Sequence, residues 1–311
     1  MKNLYLTKII NNNYKGERKM TNNGLKIGIT IVISLIVLGT FVAGASFASQ
    51  KKVPTFVILI NGYTVSGVGY WEMGVDIYQQ LVHAGYIVGI MSYYGPFAIN
   101  FSNGYQYIIP NFNGTNNTPI EVIAAQLANA LITIKNNYGN VNFDIVAHSM
   151  GGLITMYMLE NYILPINLKN VITIGSPFEG TNAAYVAYFL GMIGVSGYQN
   201  PGYQDKEMMP GSAFITKLNY YQSNVTSNYP KTVMIAYAGN YDPWWGYILF
   251  FGADNDGLVP EYSALGFHHN YQFVFPDLHS PGWDKYTFRG ICFFEDQNVA
   301  NTILNNLSGN Y

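Results

Sequence analysis

Asn142-Phe-Asp-Ile-Val-Ala-His-Ser-Met-Gly-Gly152 is the stretch on which the fold turns. Phe143 to Ala147 read as a short buried strand, apolar apart from Asp144. Gly151 and Gly152 open an apolar segment, Leu153 to Leu159, that reads as a helix. Ser149 lies between them, with Ala147 two places before it and Gly151 two places after. A serine on so sharp a strand-to-helix turn needs small neighbours, because larger side chains collide where the backbone doubles back. Such a turn presents the hydroxyl at the C-terminal end of the strand. It also aims the amides of the helix N-terminus at whatever the serine attacks.

Ala147-His148-Ser149-Met150-Gly151 resembles the nucleophile elbow of the α/β-hydrolases, in the lipase form with alanine at the first small position. The resemblance implies a mostly parallel central sheet with helices on both faces. It also implies a base, an acid and a second oxyanion donor elsewhere in the chain.

Composition narrows the class. The chain has 311 residues, 49% hydrophobic and only 10% charged, so its polar surface rests on Asn, Tyr, Ser, Thr and Gly. A net charge of −2 gives no reason to expect nucleic-acid binding. The single cysteine, Cys292, excludes an intramolecular disulfide framework and a multi-cysteine metal site. Its apolar setting, Gly290-Ile-Cys-Phe-Phe294, suits a buried thiol. The low charge would also suit a surface exposed to an acidic medium.

Residues 1–26 form a basic tail, with Lys2, Lys8, Lys15, Arg18, Lys19 and Lys26 against Glu17. Residues 27–48 carry no charge and are long enough to span a bilayer as a helix. The basic excess on their N-terminal side implies that the tail stays inside and the rest is exported. The small residues Ser46 and Ala48, or Ala43 and Ala45, fit a signal-peptidase site, so the segment reads as a cleaved signal or a retained anchor. Export makes the sequons at Asn100, Asn113, Asn116, Asn224 and Asn306 candidate glycosylation sites.

The expected catalytic domain covers 53–311. Phe56–Ile60 is a continuous apolar run, as in a strand buried on both faces. Tyr86–Met91, Asn170–Gly175, Thr232–Tyr237 and Tyr271–Phe275 read as further strands. Helices are expected over Trp71–His83, from Pro119 onward, and over Gln297–Leu307. Phe97 to Thr118, rich in Asn, Gly and aromatics, reads as a surface excursion. The strand–helix alternation breaks down over 181–230, which reads as a lid over an apolar site or a plain surface insertion. Trp244-Trp-Gly-Tyr-Ile-Leu-Phe-Phe251 is a run of large apolar residues suited to line a pocket, cover one or touch a membrane, with core packing as the other reading.

Serine becomes a nucleophile only when a base takes its proton and an acid fixes the tautomer of that base. Of five histidines, His83 ends a helix, and His268 and His269 precede the last strand at its wrong end. His148 adjoins the nucleophile but points away from its hydroxyl; in the resembling family this position packs beneath the elbow. His279 follows the last strand in Pro276-Asp-Leu-His-Ser-Pro-Gly282, at the end of the sheet where Ser149 sits. His279 is therefore the expected base. The family order Ser…Asp/Glu…His places the acid between Ser149 and His279. Asn255-Asp-Gly-Leu-Val-Pro260 resembles the acid loop of secreted bacterial lipases, which ranks Asp256 first, then Asp242, then Asp254.

By the same resemblance, the oxyanion hole draws one amide from Met150 and one from the loop after the first strand. There Asn61-Gly62 replaces the usual His-Gly pair, and Tyr63 is the candidate, with Thr64 next. Thr173-Ile-Gly-Ser-Pro-Phe-Glu-Gly-Thr181 resembles a further lipase segment. The acidic residue that completes a calcium site in some of those lipases has no counterpart after His279, so neither metal nor cofactor is expected. The reading is an exported serine ester hydrolase, a lipase or carboxylesterase acting on ester or lipid substrates. An acyltransferase or thioesterase with the same triad, or a non-catalytic surface binding protein on this scaffold, stand as alternatives.

Overall fold

The computed structural model describes residues 53–65, 67, 69–194, 201–280 and 291–311. The basic tail and the uncharged segment 27–48 lie outside the described residues. Among the described residues no helix is long and apolar enough to cross a membrane.

The core is an eight-stranded sheet ordered β4-β3-β2-β1-β5-β6-β7-β8. Its strands are β1 (Thr55–Ile60), β2 (Ile87–Ser92), β3 (Gly95–Phe101), β4 (Gln106–Gly114), β5 (Asn142–His148), β6 (Asn167–Ile174), β7 (Val233–Gly239) and β8 (Tyr271–Phe275). All neighbours pair in parallel except β2–β3 and β3–β4, which are antiparallel.

Strand periodicity sends alternate side chains of β1 into two separate cores. Phe56, Ile58 and Ile60 pack with helices α2 (Ile120–Tyr138) and α3 (Met150–Asn161), while Val57 and Leu59 pack with α1 (Ile77–His83) and the last helix of the chain (Gln297–Leu307). A strand buried on both faces has to be apolar throughout, which is why Phe56–Ile60 reads as an unbroken run. The chain order reverses between β1 and β5, the switch point where open α/β sheets place their sites.

The structure corrects two expectations. Phe97–Thr118 is not a surface excursion. It forms the β3–β4 hairpin, which extends the sheet, with Phe97, Ile99 and Phe101 buried on alternate positions of β3. The expected helix over Trp71–His83 starts only at Ile77. Gly74 turns at φ +56 with its Cα so close to Phe294 that a Cβ would lie 2.3 Å from that carbonyl oxygen. Asp76 then caps the helix by accepting from the Gln79 amide at 3.0 Å.

Four buried carboxyl groups sit in this frame without a cationic partner of comparable burial. Burial raises Asp144, Glu207 and Asp277 to about 7, the last helped by neighbouring Asp296, and raises Glu160 to about 8. Each is protonated in the fold at a pH where it is ionised in the unfolded chain. Their stabilisation is complete below pH ~4 and is lost as pH rises through ~7–8. His148 acts oppositely. Burial, then the adjacent His279, hold it well below the usual histidine range, so its effect lies below pH ~6.5. Four carboxyl groups outweigh one histidine, so melting temperature is expected to fall as pH rises from about 4.5 to about 8, and Glu160→Gln to flatten the fall. Thermal melts followed by circular dichroism across that window test this; a flat or rising profile contradicts it.

Candidate active site

Ser149 occupies the turn between β5 and α3 with φ 55 and ψ −127, a conformation rare for a residue with a side chain. Its N–H donates to the Ile174 carbonyl at 2.8 Å, and its carbonyl accepts from Gly152 at 3.0 Å. The small neighbours have a specific cause. A Cβ on Gly151 would stand 2.8 Å from the Asn61 carbonyl oxygen, and one on Gly152 would stand 2.0 Å from Ser176 Oγ. The end of β1 and the loop after β6 lie directly on the turn.

Behind the serine, five adjacent parallel strands deliver their C-terminal ends to one region: Tyr63 follows β1, Ser149 β5, Gly175 β6, Asp256 β7 and His279 β8. His279 Nδ1 meets Asp256 Oδ2 at 2.7 Å, with both side chains almost fully buried. Asp256 Oδ1 accepts from the amides of Leu258 (2.9 Å) and Val259 (2.7 Å), so the carboxylate is fixed before it meets the ring. The backbones join as well, His279 N–H donating to the Asp256 carbonyl at 3.0 Å. A carboxylate on Nδ1 makes that nitrogen the donor and leaves Nε2 with a lone pair, the tautomer a general base requires. Gly175, at φ +56, makes room for the pair: a Cβ there would lie 2.9 Å from Asp256 Oδ2 and 3.0 Å from His279 Nδ1.

Asp256 is the one of the three ranked acids that reaches His279. Asp242 faces the loop instead, accepting from Asn255 N–H at 2.6 Å, which props the segment carrying Asp256. Asp254 is exposed. His148 packs among the rings of Tyr70, Phe294 and His279, the last at 4.6 Å between centroids. Its Nε2 donates to the His279 carbonyl at 2.9 Å and so steadies the loop of the base. His83 and His268 are exposed, and His269 bonds the Phe267 carbonyl and Gln272.

The loop after β1 carries the candidate oxyanion donor. Gly62 presses on the nucleophile, a Cβ there standing 2.9 Å from Ser149 Cβ. Asn61 replaces the family's histidine, and its amide donates to the Gly67 and Met91 carbonyls at 3.0 and 3.3 Å. The fully buried Tyr93 hydroxyl lies 2.8 Å from the Asn61 carbonyl oxygen and 2.7 Å from that of Gly62. Tyr63 itself donates its phenol to Asp205 Oδ2 at 2.8 Å. Burial, then Asp205, raise the Tyr63 phenol well above its ordinary value, so it remains a donor. Sequence reasoning found none of these supports, because Tyr93 and Asp205 belong to distant segments that carry no motif.

Among the described residues no three His, Cys, Asp or Glu side chains gather as a metal site would require. The model of a family described as alpha/beta hydrolase fold matches residues 56–195. The chain has the α/β-hydrolase fold. No curated protein matches the sequence. Among solved structures, the mature lipase BlEst2 of Bacillus licheniformis superposes with a TM-score of 0.51 at 20% identity, covering 83% of this chain and 93% of that one. The lin2722 product of Listeria innocua gives 0.50 at 18% identity over 83% and 94%. Phospholipase PlaB of Legionella pneumophila gives 0.54 at 16% identity over 82% and 62%. At these identities the likeness is one of fold.

Two elements of this hydrolase fold leave the sheet near the site. Between β6 and β7 lie α4 (Asn182–Met192), α5 (Tyr203–Glu207), α6 (Ala213–Tyr221) and α7 (Ser223–Asn228). Between β7 and the acid loop lies α8 (Trp244–Leu249), the short helix made by the aromatic run. Asn182 Nδ2 donates to the Leu249 carbonyl at 3.0 Å and ties α4 to the end of α8. Both carry uncharged, outward-facing apolar side chains: Phe189 is 59% exposed and Phe251, just past α8, 91%. The run is therefore not simply core.

The contact between Gly62 and Ser149 gives a direct test. Gly62→Ala is expected to lower kcat/KM on an activated ester roughly 10²-fold while leaving the far-ultraviolet spectrum unchanged, because the added methyl displaces either the oxyanion loop or the serine. Wild-type activity in that variant would contradict the close packing.

Proposed function

We propose that this chain is an exported serine ester hydrolase, a lipase or carboxylesterase. The observation that carries the reading is the buried Asp256–His279 pair at 2.7 Å, with a serine held at positive φ at the same end of the sheet. Ser149 Oγ gives its proton to His279 Nε2 and attacks the ester carbonyl carbon. The carbonyl oxygen becomes an oxyanion in the amides of Met150 and Tyr63. Collapse of the tetrahedral adduct breaks the ester bond, and the departing alcohol takes the proton from His279. Water then loses a proton to His279, attacks the acyl-enzyme and releases the carboxylic acid, and the proton returns to Ser149. Asp256 keeps the imidazole oriented and stabilises it while charged.

The uncharged outer faces of α4 and α8 favour lipid esters over small soluble ones. Within the 181–230 insertion, α4 is the piece suited to act as a cover over the site. Residues 27–48, flanked by the basic tail, would carry the catalytic domain out of the cell as a cleaved signal or a retained anchor.

An acyl-chain series of p-nitrophenyl esters, dissolved and emulsified, tests the reading. Ser149→Ala is expected to lose at least ~10³-fold in kcat. Undiminished hydrolysis by Ser149→Ala would rule the mechanism out. Replacing Phe189 and Phe251 by serine is expected to reduce hydrolysis of emulsified long-chain esters about tenfold while sparing dissolved short ones. Equal loss on both substrates would count against a lipid-facing role.

A further inference from the structure

The insertion between β6 and β7 does more than border the site. Its five-residue helix α5 carries three buried polar side chains, each gripping a different part of the hydrolase body. Gln204, fully buried, accepts from the Tyr94 hydroxyl at 2.6 Å and donates to the Thr115 and Thr118 carbonyls at 3.1 and 2.7 Å. Glu207 accepts from the N–H of Ile120, the first residue of α2, at 3.0 Å. Between them Asp205, 3% exposed, accepts from the Tyr63 phenol at 2.8 Å and from Gly202 N–H at 2.7 Å. The segment 203–207 is thus fixed to the loops at the ends of β1, β2 and β4 and to the start of α2 by buried and part-buried hydrogen bonds.

We propose that Asp205 is a positioning residue for ester hydrolysis: by holding the Tyr63 side chain it sets the direction of the Tyr63 backbone amide in the oxyanion hole. The inference rests on the serine-hydrolase reading above. Gly62, directly before Tyr63, touches Ser149, and the carbonyls of Asn61 and Gly62 are already held by the Tyr93 hydroxyl. Those contacts fix the loop up to Gly62. Beyond it, Thr64 turns at φ 59, its backbone amide meets the Tyr94 hydroxyl that Gln204 of α5 also holds, and Gly67 N–H donates to Ser92 Oγ at 3.1 Å. The phenol-to-carboxylate bond, beside an Asn116 side-chain bond to the same phenol, anchors the Tyr63 side chain on the far side of the donor. Asp205 is itself held by Gly202 N–H at 2.7 Å, so the acceptor the phenol meets is fixed in place. An oxyanion donor acts only when it is aimed before the charge develops. The insertion therefore takes part in the chemistry through a side chain that never meets substrate.

The test compares the full-length chain with Tyr63→Phe, Asp205→Ala and the double variant. Tyr63→Phe keeps the backbone amide and the ring and removes only the phenol oxygen, so it stays informative if Asp205→Ala, which also frees Gly202, unfolds. Each single change is expected to lower kcat about tenfold with KM altered less than about twofold. Affinity for an alkyl boronic acid, whose adduct is tetrahedral, should fall by about the same factor. Inhibition by the planar fatty-acid product should not change. The double variant should be no slower than the slower single one. Wild-type kcat and boronate affinity in Tyr63→Phe, or losses that multiply in the double variant, overturn the proposal provided wild-type hydrolysis depends on Ser149. If wild-type hydrolysis is absent or independent of Ser149, the enzyme reading itself fails, and the positioning role with it.

Discussion

Everything near the candidate site depends on the crowding around Ser149. A residue with a side chain held at φ 55 costs of order 1–3 kcal/mol, and such a conformation persists only where its neighbours leave no alternative. Here the neighbours are the end of β1, which lies over Gly151, and the β6 terminus, which accepts the Ser149 amide. The same contact that enforces the strain brings Gly62 against the nucleophile. The turn at Ser149 and the loop after β1 are therefore one packed object. Its shape is set by the parallel pairing of β1 with β5 and of β5 with β6.

The polar groups divide the work around that object. Asp256 places one oxygen on two loop amides and the other on His279, so its own backbone orients the carboxyl group that orients the ring. Asp242 and His148 act a step further out, one bracing the acid loop and the other the carbonyl of the base. A chain with only 10% charged residues places several of its carboxyl groups in the interior, where most hold backbone or phenol donors. Glu160, with both oxygens buried and unpartnered, and Asp277, with Oδ2 unpartnered, are the exceptions among the described residues. Burial raises Asp144, Glu160, Asp205 and Glu207 above the usual carboxylate range.

Much of this was legible in the sequence because its causes are local. The buried runs of β1 and β5 to β7, the elbow spacing and the closing helix (Gln297–Leu307) follow from burial on two faces, from steric limits at a turn and from helical periodicity. The β3–β4 hairpin was not legible. Its outer strand is largely exposed and rich in polar residues, so the two-residue alternation of Phe97, Ile99 and Phe101 was masked by composition. Gly74 looked tolerable inside a helix until the approach of Phe294 supplied the reason for a turn. The ranking of Asp256 over Asp242 rested on a loop motif, and side-chain direction alone separates them. Asp205 had no signal at all. It meets Tyr63 across 142 residues of sequence, and a short polar helix inside an insertion resembles any other.

The most direct test of the central claim is the crystal structure of the chain after reaction with a p-nitrophenyl alkylphosphonate. The account predicts a phosphorus atom bonded to Ser149 Oγ, with its phosphoryl oxygen about 2.7–3.1 Å from the amide nitrogens of both Met150 and Tyr63, and His279 Nε2 facing the phosphonyl group. An adduct on another residue, or a phosphoryl oxygen turned away from those two amides, would contradict it.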